Sequence, residues 1–500
     1  MWGFLILFTD FTGDKQIINK TGDKSSGELL TYDRNGIYCS WKIRILKTQG
    51  RFMMKKVDLL VIGGSAGGIL SANTARKVYK DISIMVIREQ KTVMVPCGIP
   101  YIYGTLHDTA KNIIPDKAVT DNNVELLIDK VIKIDKAKKF VLTEKNEEVY
   151  YDRLIIATGS LPAASPFTEK GYDNVFSVYK NEEYLQNLLN KMDDYKDVLV
   201  VGGGFIGVEF AEQIRLSGKN VTLVQRGDFC LRRNFDPEFC EEAENLLMEN
   251  GIVVKKNTVI KEIIGNGKAE SVVLDNGETI KTDAILFGAG VRPNATLAKE
   301  AGLKIKEDDS IMVNEYMKTS DPDIFAVGDC AEKVCFFTRN NVPILLASTA
   351  ALEAKVAGYN AFKNKLTRTN KGTINAFSTK LYGRAFAAVG LTEKQTIAND
   401  FEIVTGTFSV MDRHPGMLPG ANMVKIKLIF SSYSGVIMGA QISGGDSIGE
   451  MINIMSVAIQ QKMTAADLNT FQVATHPLLT ASPIAYPINA AAMSAIEKMV

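Results

Sequence analysis

Apolar runs that end in glycines recur along the chain, and they predict buried strands running directly into helices. The first run covers residues 57–62, and a helix follows its glycines through Ala75. A second unit of the same kind begins at residue 197, and its helix extends to about Leu216. Further apolar strands follow at residues 82–87 and 221–224. This alternation of strand and helix is typical of an α/β fold with parallel sheets.

The pattern changes on both sides of this region. From residue 372 onward, strands at 377–389, 401–411, 424–430 and 435–442 and a helix at 447–461 predict an antiparallel sheet with flanking helices. Residues 1–52 are polar and turn-rich, without the later periodicity. We therefore predict an N-terminal extension, 1–53, outside the core, which reflects either a start codon placed too early or a poorly ordered segment.

The first glycine turn, residues 63–68, has the pattern of a dinucleotide-binding strand–helix junction. Its residues are Gly63, Gly64, Ser65, Ala66, Gly67 and Gly68. Glycines let the backbone approach a pyrophosphate, whose charge is met by the amides and the dipole of the helix N-terminus. Ser65 replaces the middle glycine of the full pattern, so this turn alone is a weak match. Glu89 follows the next strand, where it is placed to bind an adenosine ribose.

The second glycine turn, residues 202–207, carries the complete pattern. Its residues are Gly202, Gly203, Gly204, Phe205, Ile206 and Gly207. Two such turns form an internal repeat, which suggests one enzyme with a flavin and a nicotinamide nucleotide. The following strand ends at Gln225 and Arg226, where NAD-binding enzymes commonly carry a carboxylate. Arg226 could meet the 2′-phosphate of NADPH, but a solvated arginine is an equal interpretation.

Three shorter strand ends carry small residues that permit close backbone contact with a ligand. They are Ala157, Thr158 and Gly159, then Gly288, and then Gly328 and Asp329. The Asp329 carboxylate could accept a hydrogen bond from a sugar-alcohol hydroxyl. Each of these segments alone could be a plain turn, and only their order along the chain makes them evidence for nucleotide binding.

Composition narrows the classes of function. The 58 Lys and Arg balance 57 Asp and Glu, so there is no basic excess to attract nucleic acid or acidic lipids. Neither a membrane-spanning run nor a secretory signal is evident. Six cysteines and three histidines are too few and too scattered for a disulfide scaffold or a multi-histidine metal centre. These features favour a cytoplasmic enzyme without a metal.

In the order of these motifs, residues 54–500 resemble the FAD-dependent pyridine nucleotide-disulfide oxidoreductases, in particular their single-cysteine branch of coenzyme A-disulfide reductases, NADH oxidases and NADH peroxidases. The resemblance implies two Rossmann-like domains and a C-terminal α+β dimerisation domain. The boundaries are 54–165 and 301–371 for FAD, 166–300 for NAD(P), and 372–500 for a homodimer interface. It assigns the first glycine turn, Glu89, residues 157–159, Gly328 and Asp329 to FAD. The second glycine turn, Gln225, Arg226 and Gly288 are assigned to NAD(P)H.

Cys97 is the candidate redox residue. A cysteine at the start of a helix has its thiolate stabilised by the helix dipole, which predicts a lowered pKa. Its distance from the first glycine turn and the string Cys97-Gly-Ile-Pro-Tyr101 resemble the single-cysteine motif. There is no Cys-x4-Cys around Cys97, so its sulfur partner must come from outside the chain. Cys39, Cys230, Cys240, Cys330 and Cys335 are interpreted as buried filler.

Some residues of this chain differ from those usual in the single-cysteine branch, and these differences bear on which electron acceptor the enzyme uses. Oxidases and peroxidases carry a histidine where this chain has Ala66, whereas coenzyme A-disulfide reductases share Ala-Gly-Gly there but usually have Asn where Pro96 stands. Their C-terminal tyrosine pair is replaced by a segment with His476-Pro477, which resembles the His-Pro of two-cysteine reductases. We predict that His476 acts as acid and base beside the thiolate. His107 and His414 lack such a context.

The main hypothesis is a homodimeric FAD enzyme that passes electrons from NAD(P)H through Cys97 to a small disulfide, persulfide or polysulfide, with coenzyme A disulfide as first candidate. Arg76 and Lys77 could contact coenzyme A phosphates, although a charged helix face explains them equally. One alternative is an NAD(P)H oxidase that reduces dioxygen through a cysteine sulfenic acid. Another is a flavin-bound redox sensor or electron donor for a protein partner.

Overall fold

The computed structural model describes residues 55–500 and, before them, two short strands. These strands, β1 (Gly27–Thr31) and β2 (Cys39–Ile43), pair with each other in antiparallel orientation. The chain divides into two units between Met54 and Lys55. The expectation of a non-core extension over 1–53 falls mainly outside the described residues.

The first sheet is built on buried, mostly parallel strands. The elements of this stretch are β3 (Lys55–Ile62), α1 (Ala66–Val78), β4 (Ile84–Arg88), β5 (Val93–Met94), β6 (Ile113–Ile114), α2 (Lys117–Thr120), β7 (Glu125–Ile128), β8 (Val131–Asp135), β9 (Phe140–Thr143), β10 (Glu148–Ile156) and β11 (Ser160–Pro162). The sheet order is β7-β4-β3-β10-β9-β8, in which β7, β4, β3 and β10 run parallel. The apolar run of β3 is buried because both faces of the sheet are covered.

The second sheet is parallel throughout. The elements of this stretch are β12 (Val175–Ser177), α3 (Glu182–Met192), β13 (Asp197–Val201), α4 (Phe205–Leu216), β14 (Asn220–Val224), α5 (Pro237–Glu249), β15 (Ile252–Lys255), β16 (Ile260–Gly265), β17 (Ala269–Leu274), β18 (Thr279–Lys281), β19 (Ala284–Phe287) and β20 (Val291–Pro293). The order is β12-β19-β13-β14-β15, and β16, β17 and β18 form a separate antiparallel sheet.

The chain then returns to the first sheet through α6 (Thr296–Glu300), β21 (Ile324–Ala326) and α7 (Ala347–Asn360). Strand β21 pairs parallel with β10, and α7 packs on α1. An added Cβ at Gly358 of α7 would lie 2.7 Å from the Ser71 carbonyl oxygen, so glycine is needed for this close helix contact. The first sheet is therefore assembled from two stretches of chain that flank the second sheet.

The C-terminal part is an antiparallel sheet with helices. Its elements are β22 (Phe377–Leu381), β23 (Arg384–Gly390), α8 (Glu393–Ile397), β24 (Ile403–Met411), β25 (Met423–Ser431), β26 (Ile437–Gly444), α9 (Ile448–Gln460), α10 (Ala465–Thr470) and α11 (Pro487–Ile496). The single strand predicted over 377–389 is wrong. It is a hairpin, because Tyr382 and Gly383 both adopt positive φ and turn the chain.

The predicted fold class is confirmed: two parallel α/β sheets are followed by an α+β unit. The buried apolar side chains of residues 55–500 form clusters on each sheet, and one cluster of the second sheet also contains Ile99 and Tyr103 of the cysteine segment and Phe386 of the C-terminal sheet. Among the described residues, no helix is both long and apolar enough to cross a membrane.

Candidate active site

The three strand ends assigned to FAD are neighbours in the first sheet. Residues 63–68 follow β3, residues 157–159 follow β10, and Gly328 and Asp329 follow β21. These strands are adjacent and parallel, in the order β3-β10-β21. Since the carboxyl ends of parallel strands meet at one edge, the fold brings the predicted segments together where α/β sheets bind nucleotides.

The first glycine turn fits a pyrophosphate. Gly63 has φ +111°, and an added Cβ there would lie 2.1 Å from the Ala157 carbonyl oxygen, so only glycine is accommodated. Helix α1 starts after Ser65, whose side chain makes no cap hydrogen bond, and its first turn has no acidic residue. Its amides and its dipole are therefore available to an anionic ligand. Glu89, after β4, has Oε1 3.4 Å from Lys130 Nζ.

Asp329 is held by two residues that the sequence did not single out. Its Oδ2 accepts a hydrogen bond from Ser160 Oγ at 2.7 Å and lies 3.1 Å from Lys180 Nζ. Burial raises the pKa of Asp329, but Lys180 and Ser160 outweigh it, and the net pKa is lowered. The ionised carboxylate is thus fixed at the sheet edge. Ser160 directly follows Gly159, whereas nothing in the sequence indicated Lys180.

The second glycine turn repeats this geometry on the second sheet. Gly202 has φ +112°, and an added Cβ would lie 2.9 Å from the Gly288 carbonyl oxygen. Gly204 is the N-cap of α4, whose first turn also lacks acidic residues. Phe205 opens the helix, with its ring 4.6 Å from that of Phe377. Gly202, Gly204 and Gly288 thus form a backbone cradle that fits the pyrophosphate of NAD(P)H.

Gln225 and Arg76, two residues proposed as ligand contacts, form hydrogen bonds within the protein. Gln225 Oε1 accepts from the Gly203 amide at 3.0 Å, and its Nε2 donates to the Phe229 carbonyl at 3.0 Å, so both polar atoms are used inside the loop. Arg226 is exposed. Arg76 donates to three backbone carbonyl oxygens, which explains it as a structural residue rather than as a coenzyme A contact.

Cys97 lies in a short 3-10 turn, Pro96–Gly98, and not at the start of an α-helix as predicted. The Asn112 side chain fixes this turn by donating from Nδ2 to the Val95 carbonyl at 3.0 Å. Gly98 packs directly on the same side chain, because an added Cβ would lie 1.9 Å from Asn112 Oδ1. No motif of the sequence points to Asn112.

The segment after Cys97 is anchored on α4, the helix of the second glycine turn. An added Cβ at Gly104 would lie 2.1 Å from the Gln213 carbonyl oxygen, and Thr105 Oγ1 donates to Gln213 Oε1 at 2.7 Å. The Tyr103 ring lies 5.4 Å from that of Phe210. The cysteine turn therefore stands between the two nucleotide-binding units.

The electrostatics of Cys97 also differ from the prediction. The pKa of its thiol is raised, first because surrounding protein excludes water and then because Glu209 and Asp329 repel the thiolate. Lys180 opposes this increase. No helix dipole lowers the pKa of this thiol, because a three-residue turn has almost no dipole. Cys97 is nonetheless exposed, whereas the other four cysteines among residues 55–500 are buried.

Glu209 is the titratable group most closely coupled to this thiol. Burial raises its pKa to about 7, with Glu212 adding to the shift and a hydrogen bond from Thr379 Oγ1 at 2.7 Å opposing it. Ionised Glu209 raises the pKa of Cys97, and it adds to the effect of burial on Tyr101, whose pKa is raised to about 12. The charge beside Cys97 therefore changes across neutral pH.

We predict that Glu209→Gln moves the ionisation of Cys97 to lower pH by roughly half a unit to one unit, because a nearby negative charge is lost. The pH dependence of Cys97 alkylation in the FAD-loaded protein measures this. The carboxyl pKa is raised on folding from 4.5 to about 7, so wild-type stability falls as pH rises through that interval, and the variant escapes this loss. Exposed Glu144→Gln is the control. An unchanged alkylation midpoint in Glu209→Gln contradicts the coupling.

His476 lies on an exposed loop of the C-terminal part. Its Nδ1 accepts a hydrogen bond from the Leu478 amide at 3.2 Å, so the neutral ring carries its hydrogen on Nε2. Among the hydrogen bonds of residues 55–500, none joins His476 to Cys97 of the same chain. This hydrogen bond leaves Nε2 as the ring nitrogen that can contact another group.

His414, for which the sequence indicated no role, helps to hold this loop. Its backbone amide donates to the Pro477 carbonyl at 3.2 Å, and its ring Nδ1 lies 3.0 Å from the Thr480 carbonyl oxygen. Because a carbonyl only accepts, Nδ1 must carry the hydrogen. His414 therefore positions the loop rather than offering a free acid.

Two glycine cradles on two parallel sheets, with an exposed cysteine between them, define an oxidoreductase that uses FAD and a nicotinamide nucleotide. The chain belongs to the pyridine nucleotide-disulphide oxidoreductase family. The model of that family matches residues 57–354, and the model of its dimerisation domain matches residues 378–484. The predicted resemblance and cofactors are thereby confirmed, and the chain is an NAD(P)H-dependent flavoprotein.

Relatives and solved structures support the same placement. The chain is 33% identical to an NADH oxidase of Methanocaldococcus jannaschii over 88% of this chain and 99% of the relative. It is 30% identical to an NAD(P)H coenzyme A polysulfide/persulfide reductase of Pyrococcus horikoshii, over 79% and 89%. The structure of an NAD-dependent persulfide reductase from A. fulgidus matches with a TM-score of 0.82 and 29% identity, covering 88% of this chain and 83% of that one.

Proposed function

We propose that this chain reduces small disulfides or persulfides with electrons from NAD(P)H, using Cys97 as the relay, and that coenzyme A disulfide is the first substrate to test. One observation carries the proposal. Among the cysteines of residues 55–500 only Cys97 is exposed, and its thiol is near enough to both Asp329 and Glu209 of α4 for their charges to raise its pKa. The relatives named as coenzyme A persulfide and persulfide reductases support this class of acceptor.

The chain's own residues account for the thiol chemistry. The Cys97 thiolate attacks one sulfur of the substrate disulfide, so that a new S–S bond forms as the old one breaks. The departing thiolate takes a proton, which we assign to Nε2 of His476 in its imidazolium form, because the neutral ring is too weak an acid to protonate a thiolate. Lys180 favours the thiolate before attack, whereas Glu209 and Asp329 disfavour it. The first glycine turn and Asp329 would hold FAD, which would supply the electron pair, drawn from NAD(P)H, that is needed to reduce the mixed disulfide and restore Cys97.

We further propose a homodimer in which His476 serves the Cys97 of the partner subunit. The matched dimerisation domain supports a dimer. Leu478, Leu479 and Ile484, close to His476 in sequence, have 51%, 69% and 96% of their surface exposed, and apolar side chains this open favour a covering partner. A cytoplasmic location, inferred from the sparse cysteines, is part of the same proposal.

The acceptor is tested by steady-state turnover of the FAD-loaded protein under anaerobic conditions with coenzyme A disulfide, a coenzyme A persulfide, polysulfide and glutathione disulfide, and separately with dioxygen. We expect the highest kcat/KM with a coenzyme A disulfide or persulfide. Multiple turnovers with dioxygen only would contradict the proposal. Flavin reduction without turnover on any acceptor would instead favour a redox sensor.

Dioxygen reduction is the second candidate, because the relative from M. jannaschii is named NADH oxidase. Ala66, the first residue of α1, occupies the position where the oxidases that this chain resembles carry a histidine. Its methyl group offers no proton to a reduced oxygen species. The structure therefore gives the disulfide proposal more support than the oxidase proposal.

The exposed Arg226 gives a test of nicotinamide choice. We predict that Arg226→Ala lowers kcat/KM for NADPH about tenfold and leaves that for NADH nearly unchanged, because a guanidinium pairs with the 2′-phosphate that only NADPH carries. Flavin reduction by each nucleotide is the measurement. Lys261→Ala, an exposed lysine of the antiparallel sheet, is the control. Equal losses with both nucleotides would contradict a role in discrimination.

A further inference from the structure

A buried ion pair lies directly against the turn that carries Asp329. Lys333 Nζ is 3.1 Å from Glu353 Oε2, and the two side chains are only 2% and 1% exposed. Neither residue belongs to a motif of the sequence, and the proposed chemistry uses neither. Burying two charges costs several kcal/mol of desolvation for each ion, so such a pair adds little net stability compared with apolar side chains.

Both charged groups bind the backbone of the same turn. Glu353 Oε2 accepts from the Gly328 amide at 2.8 Å, while Lys333 Nζ donates to the carbonyl oxygens of Gly328 at 2.6 Å and of Ala331 at 2.7 Å. Gly328 has φ +75°, one of several conformations open to glycine, so these contacts select it among the alternatives. The amide and the carbonyl of Gly328 are thus both fixed by buried charge.

This turn adjoins the first glycine turn. An added Cβ at Gly67 would lie 3.8 Å from Gly328 Cα and 3.5 Å from Val327 Cγ2. A small rotation of Gly328 would therefore move the Asp329 carboxylate relative to the amides at the start of α1. Lys333 lies in the loop after the turn and Glu353 lies in α7, so two separate segments hold the turn.

We propose that Lys333 and Glu353 are positioning residues for FAD, which lock the Gly328–Cys330 turn so that Asp329 faces the cofactor. The inference rests on the assignment of Asp329 to FAD within the proposed function. It does not depend on the electron acceptor or on Cys97. A purely structural role is the alternative, in which the pair supports folding but not cofactor affinity.

The experiment measures FAD affinity without substrate, from the fluorescence of FAD released when the holoenzyme is serially diluted. The key variant is Lys333→Met with Glu353→Met, which removes both charges and retains apolar volume. We expect FAD affinity to fall about tenfold or more, because Gly328 loses its charged partners. Far-UV circular dichroism and the melting temperature at saturating FAD should stay near wild type, since no unpaired charge is buried.

Two further variants complete the design. Lys306→Met removes a partly exposed pair with Glu332, next to Lys333, and should leave FAD affinity unchanged. Asp329→Ala should weaken FAD binding at least as much as the double variant. If Asp329→Ala weakens binding while the double variant binds as wild type, the positioning role is overturned and the FAD assignment stands. If Asp329→Ala also binds as wild type, both fail. Single Glu353→Gln keeps an acceptor for Gly328 and should change affinity less than the double variant.

Discussion

Replacing Cys97 with serine should reduce turnover with disulfides and persulfides by on the order of 10³-fold or more, because a hydroxyl cannot replace the thiolate nucleophile. Reduction of the bound flavin by NAD(P)H should proceed nearly as in wild type, since the second glycine turn and α4 are untouched. Stopped-flow flavin reduction and steady-state disulfide turnover, measured on the same preparation, check both expectations.

Cys335→Ala is the matched control. Cys335 is buried, with 6% of its surface exposed, so this substitution should leave both rates intact. The same Cys97→Ser protein separates disulfide reduction from dioxygen reduction. Dioxygen consumption that survives while disulfide turnover disappears supports the disulfide role. Joint collapse of both activities favours an oxidase that cycles through a cysteine sulfenic acid. Full disulfide turnover in Cys97→Ser would refute the relay.

Replacing His476 with glutamine should lower disulfide turnover by roughly 10²-fold, because the departing thiolate loses its proton donor. The loss should be smallest with substrates whose leaving thiol has a low pKa, since these need least protonation. Steady-state turnover with a series of aromatic disulfides of graded thiol pKa measures this dependence. An equal loss across the series would indicate a structural role for the histidine.

His107→Asn is the control for this variant, because His107 is exposed and its positive φ is tolerated by asparagine. Mixed dimers test whether His476 acts across the interface. Combining Cys97→Ser subunits with His476→Gln subunits creates one site with both wild-type residues if the two groups come from different subunits. Activity should then reappear on mixing two nearly inactive proteins. No recovery from verified mixed dimers would place both groups in one subunit.

The backbone of the nucleotide sites could be predicted because its conformation depends on residues that are close together in the sequence. A strand that ends in glycine before a helix needs only the sequence of that turn, and Gly63 and Gly202 both adopt a positive φ that glycine favours. The order of the motifs pointed to the family that assigns all three strand ends to FAD, whereas the adjacency of β3, β10 and β21 is a finding of the structure. The hairpin over Phe377–Leu381 and Arg384–Gly390 was missed because Tyr382 is an uncommon turn residue.

The environment of Cys97 was much less predictable, because it is made by residues distant in sequence. Asn112 fixes the turn, Glu209 comes from the second unit, and Lys180 reaches Asp329 across the domains. None of them stands in a motif with the cysteine. Because these distant residues make up its surroundings, the Cys97 thiol has a raised pKa and not the lowered pKa predicted from a helix start.

The most direct test of the central claim is to trap the sulfur adduct itself. The FAD-loaded, oxidised protein is incubated anaerobically with coenzyme A disulfide, and peptides are then examined by mass spectrometry without reductant. If Cys97 is the relay, we expect one coenzyme A moiety per subunit, attached to Cys97, and one coenzyme A thiol released. Addition of NAD(P)H should remove the adduct and release the second thiol. An enzyme that turns over coenzyme A disulfide but never carries the adduct on Cys97, or carries it on another cysteine, would contradict the account.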